Sequence, residues 1–296
     1  MSSAVRVRVP ATSANLGPGF DAFGLALGLY DEVSVRLCSG PDVSVEVSGE
    51  GADDVPRDAS HLVVRALRAA LEELGEPAGG LALSCVNRIP KSGGLGSSAG
   101  AIVAGVLAAF ELAGTTADPG RVLRMAAELE GHPDNVAACV YGGFTIAWTD
   151  SGGGRAVRLE PDPAVSAVVY VPAVAVPTRV ARGLLPATVP HADAAANAGR
   201  AALLVTSITS RPDLLLVATE DRLHQSYRAP AMPDSAALVA SLRAAGIAAV
   251  VSGAGPSVLA LLDGRTGEVP VAPDGWRRFE LPIDPVGAQV WSVAAE

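Results

Sequence analysis

The chain is poor in positive charge, in cysteine and in aromatic residues. Its 296 residues include 22 Lys and Arg against 31 Asp and Glu, a formal net charge of −9. This balance argues against nucleic-acid binding, because proteins that bind nucleic acids normally present a basic face. The three cysteines, Cys38, Cys85 and Cys139, are odd in number, widely spaced and form no metal-type C-x-x-C pair. We expect them to be buried, reduced thiols.

Long hydrophobic segments are lacking as well. The longest apolar helix that the pattern predicts, Ala99–Phe110, is too short to cross a bilayer, and no basic-then-apolar signal segment opens the chain. We therefore expect a cytoplasmic protein without a membrane or nucleic-acid partner. With 49% hydrophobic residues, the chain can form a substantial core in one large or two ordinary domains.

Hydrophobic periodicity predicts a mixture of strands and helices. Alternating apolar and polar residues predict strands at 5–9, 33–37 and 43–47, which we expect in one antiparallel sheet. An amphipathic pattern predicts a helix at 60–74 that stops at Gly75. Further predicted helices lie at 97–112, 119–130, 190–209 and 235–245, and further strands at 81–86, 144–148, 165–171, 249–252 and 258–262.

A glycine-rich stretch following Thr149 marks the best candidate domain boundary. It predicts an N-terminal domain at 1–152 and a C-terminal domain at 153–296. The segment 264–290 is rich in Pro, Gly and charge, and we expect an edge strand with long loops or a partner surface there.

The most informative segment spans residues 89–101, Ile-Pro-Lys-Ser-Gly-Gly-Leu-Gly-Ser-Ser-Ala-Gly-Ala, and runs directly into an apolar helix. Its glycines allow a tight turn that brings backbone N–H groups close to an anion, and the helix beginning near Ser97 adds its positive dipole end. The hydroxyls of Ser97 and Ser98 are able to hold a phosphate oxygen or Mg²⁺. The segment therefore predicts a phosphate-binding loop.

Other interpretations of this loop are weaker. A Walker loop needs a Lys directly after its last glycine, which this segment does not have. A dinucleotide-binding motif formally fits 94–99, but it requires an acidic residue about twenty positions on, and Glu111 comes too early. A glycine-rich turn that caps a core helix remains the structural alternative when the loop is taken alone.

Two further segments accompany the loop, at 9–21 (Val-Pro-Ala-Thr-Ser-Ala-Asn-Leu-Gly-Pro-Gly-Phe-Asp) and at 252–257 (Ser-Gly-Ala-Gly-Pro-Ser). Together the three resemble the motifs of the GHMP superfamily of small-molecule kinases, and the form of the first resembles the homoserine kinase family. The resemblance implies a two-domain α+β fold, with an N-terminal domain like ribosomal protein S5 domain 2 and a ferredoxin-like C-terminal domain. It also implies ATP and Mg²⁺ as cofactors, with the nucleotide at the domain interface.

The resemblance assigns the nucleotide and metal contacts. The residues expected to bind ATP form one continuous loop: Pro90, Lys91, Ser92, Gly93, Gly94, Leu95, Gly96, Ser97, Ser98, Ala99 and Gly100. Ser98 and Glu128 match the family's metal-contacting serine and carboxylate. Glu130 is a rival to Glu128, because the chain is shorter than the family pattern before His132. Residues 60–63 lie where the family contacts the base, although capping of the first helix explains Ser60 equally well.

The resemblance also assigns the substrate contacts. Residues expected around the amino-acid substrate L-homoserine are Asn15, Asp21, His132, Asp134, Asn135, Arg182 and Arg228. The two arginines match those that hold a carboxylate, for which a guanidinium is suited. Thr178 matches a threonine near the reacting hydroxyl, and its spacing from Arg182 puts both on one helical face. Taken singly, Asn15 and Asp21 are typical turn residues, His132 a helix stop and Arg228 an exposed loop cation.

Asp21, Thr178 and Arg182 are the candidate catalytic residues. We expect Asp21 to bind and orient the substrate, with general-base catalysis as the less favoured role, because a loose phosphoryl-transfer transition state needs little deprotonation. The expected activity is ATP-dependent phosphorylation of the homoserine hydroxyl for threonine biosynthesis. The alternatives are a GHMP kinase for another small alcohol, and a non-catalytic nucleotide-binding or nicotinamide-binding protein. Relatives are often dimeric, so a homodimer is compatible with the resemblance.

Overall fold

The structure is a computed structural model that describes residues 4–91 and 93–293. The strands are β1 (Ala4–Ala14), β2 (Phe23–Cys38), β3 (Val43–Gly49), β4 (Gly80–Asn87), β5 (Phe144–Asp150), β6 (Gly153–Leu159), β7 (Ser166–Pro172), β8 (Ala248–Val251), β9 (Val258–Leu262), β10 (Trp276–Leu281) and β11 (Gln289–Val293). The helices are α1 (Leu62–Leu74), α2 (Ser97–Leu112), α3 (Pro119–Glu130), α4 (Asp134–Tyr141), α5 (Thr178–Gly183), α6 (His191–Thr209), α7 (Leu215–Ala218), α8 (Gln225–Arg228) and α9 (Pro233–Ala244).

Two sheets organise the molecule. The larger has seven strands, with the order β11-β1-β2-β4-β3 and a hairpin of β5 and β6 attached to β2. The smaller has four strands in the order β10-β7-β9-β8. β1 and β2 are antiparallel as expected, but the expectation of one antiparallel sheet is wrong for β3, which pairs in parallel with β4. The helical crossover through α1 permits this pairing, because parallel neighbours need a long connection.

The boundary predicted between residues 152 and 153 falls inside the larger sheet. It lies at the turn of the β5–β6 hairpin, whose two strands pair along their whole lengths from Asp150↔Gly153 to Phe144↔Leu159. The division between the sheets follows β6 instead. The chain end also returns to the larger sheet, because β11 pairs with β1. The segment 264–290 contributes the edge strand β10 to the smaller sheet.

Helix α2 carries the phosphate loop into the core. Eleven of its residues are buried, because it packs against α1, α3, α4 and β1 rather than covering the surface with one face. Gly105 lets α1 approach closely, since a Cβ there would lie 2.6 Å from the Val63 carbonyl oxygen. The helix is therefore a rigid support for whatever its N-terminus binds.

Cys85 and Cys139 are buried thiols, as expected, but Cys38 is exposed at the end of β2. Burial raises the pKa of Cys85 to about 12. Among the helices of the described residues, none combines the length and the apolar character needed to span a membrane.

Candidate active site

A cleft of about 620 Å³ lies where the N-terminus of α2 faces the end of β1 and the loop after β8. The start of α1 borders one end of the cleft, and the junction of α3 and α4 borders the other. All three glycine-containing segments singled out in the sequence therefore meet at one place.

The phosphate loop bends into the cleft at two left-handed glycines. Gly94 has φ 79° and Gly96 has φ 69°. A Cβ on Gly94 would overlap the Ser252 carbonyl oxygen, and one on Gly96 would overlap the Thr12 hydroxyl. The backbone needs glycine here for both conformation and space. Among the described residues no side chain caps α2, so the first N–H groups of this helix remain available to an anion.

The C-terminal glycine segment, residues 252–257, makes hydrogen bonds that support this loop. The Ser252 hydroxyl donates to the Gly94 carbonyl at 2.6 Å, and the Ser257 N–H donates to the Gly93 carbonyl at 3.1 Å. From the other side, the Thr12 N–H donates to the Leu95 carbonyl at 3.0 Å. The carbonyls of the loop are thus engaged by protein, which leaves its N–H groups to face the cleft.

Most of the residues expected to bind nucleotide line the cleft. They are Pro90, Lys91, Gly93, Gly94, Leu95, Gly96, Ser97 and Ser98. Ser92 lies outside the described residues. Ala99 and Gly100 do not line the cleft, and the Gly100 N–H already donates to the Gly96 carbonyl at 2.9 Å. These two residues therefore belong to the packing of α2 rather than to the phosphate contacts.

The acidic residue that meets Ser98 is Glu130, not Glu128. The Ser98 hydroxyl donates to Glu130 Oε1 at 2.5 Å, and both residues line the cleft. Burial raises the pKa of Glu130. Glu128, two positions earlier in α3, is exposed and does not line the cleft. Residues two positions apart lie on opposite sides of a helix, so the structure brings Glu130 rather than Glu128 to Ser98, and the metal ligand itself stays a prediction.

The segment from His132 to Asn135 forms one hydrogen-bonded unit at the start of α4. His132 Nδ1 lies 2.9 Å from Asp134 Oδ1, and this buried carboxylate also accepts the Asn135 N–H at 2.6 Å. Hydrogen bonding to Asp134 raises the pKa of His132. Asn135 Oδ1 accepts from the Thr12 hydroxyl at 2.8 Å. Asp134 thus holds the His132 ring and the backbone at the start of α4.

Asp21 and Arg182 form a two-pronged ion pair. Arg182 Nη1 and Nη2 donate to the two carboxylate oxygens of Asp21 at 3.1 and 2.8 Å. Arg182 lines the cleft, whereas Asp21 adjoins it through this pair. Both side chains are about one-third exposed, at 36% and 38%. Thr178 begins α5, four positions before Arg182.

Asn15 and Arg228 converge on one backbone oxygen. Asn15 Nδ2 donates to the Gly253 carbonyl at 2.7 Å, and Arg228 Nη1 donates to the same oxygen at 3.2 Å. Asn15 Oδ1 also accepts the Asp21 N–H at 2.9 Å. Both Asn15 and Asp21 have positive φ, at 69° and 55°, a strained backbone of the kind found at functional sites. Arg228 is only 1% exposed, so it is not a surface cation.

A buried histidine, His61, lies at the far end of the cleft. His61 is 6% exposed, and its Nδ1 makes no hydrogen bond within the described residues. Burial lowers the pKa of His61, so the ring is neutral near pH 7. Val55, Pro56 and Val63 supply apolar surface nearby in the same cleft. This end suits a flat, partly polar ring.

Sequence reasoning missed several residues of the site. The expectation for 60–63 covers His61 without singling it out, and the contacts of Thr12 and Ser252 with the loop and with Asn135 are not among the predicted ones. Both hydroxyl residues lie inside motifs that were identified, so their position in the motif was the available signal. Their partners lie far away in the sequence, and only the fold brings them together.

Comparison with known proteins defines the class. Residues 61–143 match the family model of the GHMP kinases N terminal domain, and residues 200–268 match that of the GHMP kinases C terminal domain. A homoserine kinase from Streptomyces avermitilis is 56% identical over 99% of this chain and 98% of its own length. One from Streptomyces coelicolor is 56% identical over 99% of this chain and 96% of its own length.

A solved structure agrees with these relatives. The crystal structure of homoserine kinase from Cytophaga hutchinsonii matches with a TM-score of 0.84 at 27% identity, covering 97% of each chain. The chain belongs to the homoserine kinase family of the GHMP kinases. The expected two-domain GHMP kinase fold is confirmed, and the class is that of ATP-dependent kinases that act on a hydroxyl group.

Proposed function

We propose that this protein transfers the γ-phosphoryl group of ATP to the side-chain hydroxyl of L-homoserine, forming O-phospho-L-homoserine and ADP. The observation that carries the proposal is the pairing, in one cleft, of an uncapped helix N-terminus with a two-pronged Asp21–Arg182 ion pair. The first suits a polyphosphate, and the second suits a zwitterionic amino acid.

The nucleotide would bind with its phosphates on the loop and its base near His61. The left-handed turns at Gly94 and Gly96 pack the loop against Ser252 and Thr12, and the uncapped N–H groups at the start of α2 would bind the phosphates. The unpartnered Nδ1 of His61 fits a hydrogen-bond donor on a base, and the apolar wall fits its faces. The sequence offered only a general location for these contacts.

Mg²⁺ would be held by Ser98 and Glu130. Within the described residues, no group of three or more His, Cys, Asp or Glu side chains surrounds a common point, so no cage made of protein alone is present. A serine hydroxyl and one carboxylate fit a Mg²⁺ that takes its other ligands from phosphates and water. When bound, Mg²⁺ would neutralise the charge of the phosphates and of the developing transition state.

The substrate would replace the Asp21–Arg182 pair with two new pairs. Its ammonium group would bind Asp21 and its carboxylate would bind Arg182 and Arg228, so each charge of the empty site keeps a partner. A ligand with only one of these charges would leave the other member unpaired, which is unfavourable. His132, Asn135 and Asn15 would border the same ligand, with Asp134 fixing two of them.

Catalysis would rest on positioning and charge neutralisation. The substrate hydroxyl would lie between the substrate contacts and the phosphate loop, and its in-line approach to the γ-phosphorus would require little deprotonation. Arg182 would hold the substrate, Thr178 stays the predicted neighbour of the reacting hydroxyl, and Asp21 orients the ammonium group. General-base catalysis by Asp21 stays the less favoured role, because a loose phosphoryl-transfer transition state needs little deprotonation and the Asp21 carboxylate would face the substrate ammonium.

The deciding experiment is release of ADP from Mg·ATP with a panel of L-homoserine, L-serine, L-threonine, mevalonate and galactose, with mass detection of the product. We expect turnover chiefly with homoserine. Binding of ATP without turnover of homoserine would overturn the substrate assignment while leaving the phosphate loop in place. Preferential turnover of mevalonate or galactose would indicate a kinase for another small alcohol. The place in threonine biosynthesis, the cytoplasmic location and a homodimer stay predictions.

A further inference from the structure

His224 lies behind the substrate end of the cleft and takes no part in the contacts proposed above. Its side chain is fully buried, immediately before α8, and lies one helical turn from Arg228. It bridges the N-terminal turn that contains Asp21 to the arginine proposed to bind the substrate carboxylate. A change at His224 can therefore alter substrate binding by changing the orientation of the Arg228 side chain.

The hydrogen bonds of His224 define its tautomer. Nε2 lies 2.8 Å from the Gly17 carbonyl oxygen, which can only accept, so this nitrogen carries the proton. Nδ1 lies 3.3 Å from Arg228 Nη1, which can only donate, so this nitrogen presents its lone pair. A proton on Nδ1 would point at the guanidinium and break the contact. The ring is therefore neutral and has one orientation.

The surroundings keep the ring neutral. Burial lowers the pKa of His224, and the nearby Arg228 lowers it further. The opposing group is Asp221, whose carboxylate lies 3.7 Å from Nε2. That carboxylate already accepts the backbone N–H groups of Leu223 at 2.9 Å and Gln225 at 2.8 Å. Asp21 is the other acidic group that acts on the ring from the facing turn.

Several contacts hold Arg228 in place, and His224 makes one of them directly and supports another through Phe20. The ring of Phe20 stacks on His224 with centroids 5.1 Å apart, and the Arg228 guanidinium lies 5.3 Å from the centroid of Phe20. The Gly253 carbonyl accepts from the same Nη1 that faces His224. Arg228 Nε makes no hydrogen bond within the described residues. Loss of the imidazole acceptor would therefore remove one of the few contacts that orient this buried cation.

We propose that His224 is a positioning residue, which presents Nδ1 as an acceptor to Arg228 and thereby aims the guanidinium at the carboxylate of the substrate. This inference rests on the proposed function. It predicts that the Nδ1 side of the ring affects recognition of the carboxylate, whereas the Nε2 side holds the Gly17 turn.

Two variants separate the two sides of the ring. H224N keeps an acceptor at about the place of Nδ1, and H224Q keeps an amide donor at about the reach of Nε2. We expect H224Q to raise KM for L-homoserine about 10- to 100-fold, the usual range for a lost hydrogen bond to a charged group. H224N should stay within about threefold of the unaltered chain. In both variants kcat and KM for ATP should change little.

A substrate without the carboxylate provides the control. For 3-aminopropan-1-ol, kcat/KM should be nearly the same in the unaltered chain and in H224Q, because Arg228 has no carboxylate to bind. Equal losses in H224N and H224Q, or equal losses with both substrates, would mean that His224 only supports the fold. Failure of the unaltered chain to turn over homoserine would overturn the proposed function and this role with it.

A measurement that does not depend on turnover tests the tautomer. In protein labelled with ¹⁵N at its four histidines, the signals of His224 are identified by their loss in H224N. We expect a neutral ring protonated at Nε2 near pH 7, with an Nδ1 signal that moves in R228M. A ring protonated at Nδ1 would overturn the proposal, whatever the kinetics.

Discussion

The two ends of the cleft are built in different ways. At the phosphate end, formed by the loop before α2, the structure is held mainly through backbone atoms. The loop carbonyls accept hydrogen bonds from Thr12, Ser252 and Ser257, and two left-handed glycines set the bend. At the substrate end, side chains hold one another through an ion pair and shared hydrogen bonds, as Asp21 and Arg182 do. The first end is formed before any ligand arrives, whereas the second must exchange partners to bind one.

This difference concerns both energy and specificity. A backbone cradle has few conformations to lose on binding, so it provides affinity for any phosphate chain of suitable shape. Charged side chains that satisfy each other in the empty site add little net affinity, because their exchange is nearly balanced, but they penalise ligands that lack one charge. We therefore expect changes at the phosphate end to damage the fold and activity together, and changes at the substrate end to alter KM selectively.

The largest expected effect is that of Gly94→Ala. A Cβ would overlap the Ser252 carbonyl, and the residue would have to keep φ near 79°. The left-handed backbone costs alanine about 1–2 kcal/mol and the overpacking about 1–3 kcal/mol more. We expect loss of measurable ATP binding by calorimetry and a clearly lower stability in urea. The matched control is Gly114→Ala, at φ 62° with no atom within 4 Å of the added Cβ. The control should lose only the stability that the left-handed backbone costs alanine, and it should not affect ATP binding. Equal effects of both variants would contradict the proposal that the Gly94 turn binds phosphate.

Glu130→Gln should have the next largest effect. It removes the charge that faces Ser98 but keeps the shape of the side chain. Loss of one group that stabilises transition-state charge lowers kcat by about 10²- to 10³-fold. We expect a fall in that range, with part of the loss recovered at high Mg²⁺. Glu128→Gln, two positions earlier on the same helix and exposed, should stay close to the unaltered rate. A larger loss in Glu128→Gln than in Glu130→Gln would restore the first assignment.

Asp21→Asn should alter KM more than kcat. The variant loses the partner of the substrate ammonium, and a pair that is about one-third exposed is worth about 2 kcal/mol, so KM for homoserine should rise about 30-fold. The control is Asp213→Asn, which removes an equally two-pronged pair, with Arg211, on the exposed surface. Its effect on KM should be negligible. A large fall in kcat with unchanged KM and a lost basic limb in the pH profile would instead favour Asp21 as a general base.

The sequence predicts the phosphate end better than the substrate end, because a backbone turn leaves a local signature and contacts between distant side chains do not. Gly94 and Gly96 leave a direct signature, because a tight left-handed bend needs glycine wherever it occurs. The start and end of α2 were likewise predicted, since periodicity and turn residues are local. Which of Glu128 and Glu130 faces Ser98 could not be determined from the sequence alone, because both lie at the end of α3. The contact of His224 with Arg228 also stayed hidden, because a histidine four residues before an arginine is common and its burial depends on the fold.

The smallest expected effect concerns the pH dependence of stability at the substrate end. Hydrogen bonding to Asp134 raises the pKa of His132 in the folded chain. A group whose pKa is raised by folding stabilises the fold fully below its unfolded pKa, about 6.5, and this contribution is lost as pH rises through the folded pKa. The His132–Asp134 pair should therefore stabilise the protein at about pH 6 and contribute less at about pH 8.5.

Urea unfolding of the unaltered chain and of His132→Asn at the two pH values measures this contribution. We expect the difference in free energy of unfolding between the two proteins to shrink as pH rises, by about 1 kcal/mol or less, because His132 is partly exposed and the pair is screened. His191→Asn is the control, since no partner holds this exposed histidine among the described residues. A difference that grows with pH would mean that neutral His132 makes the stronger contact with Asp134. The segment at the start of α4 would then hold its neutral ring as a hydrogen-bond donor to the carboxylate, and the negative charge of Asp134 would have no positive partner in that ring.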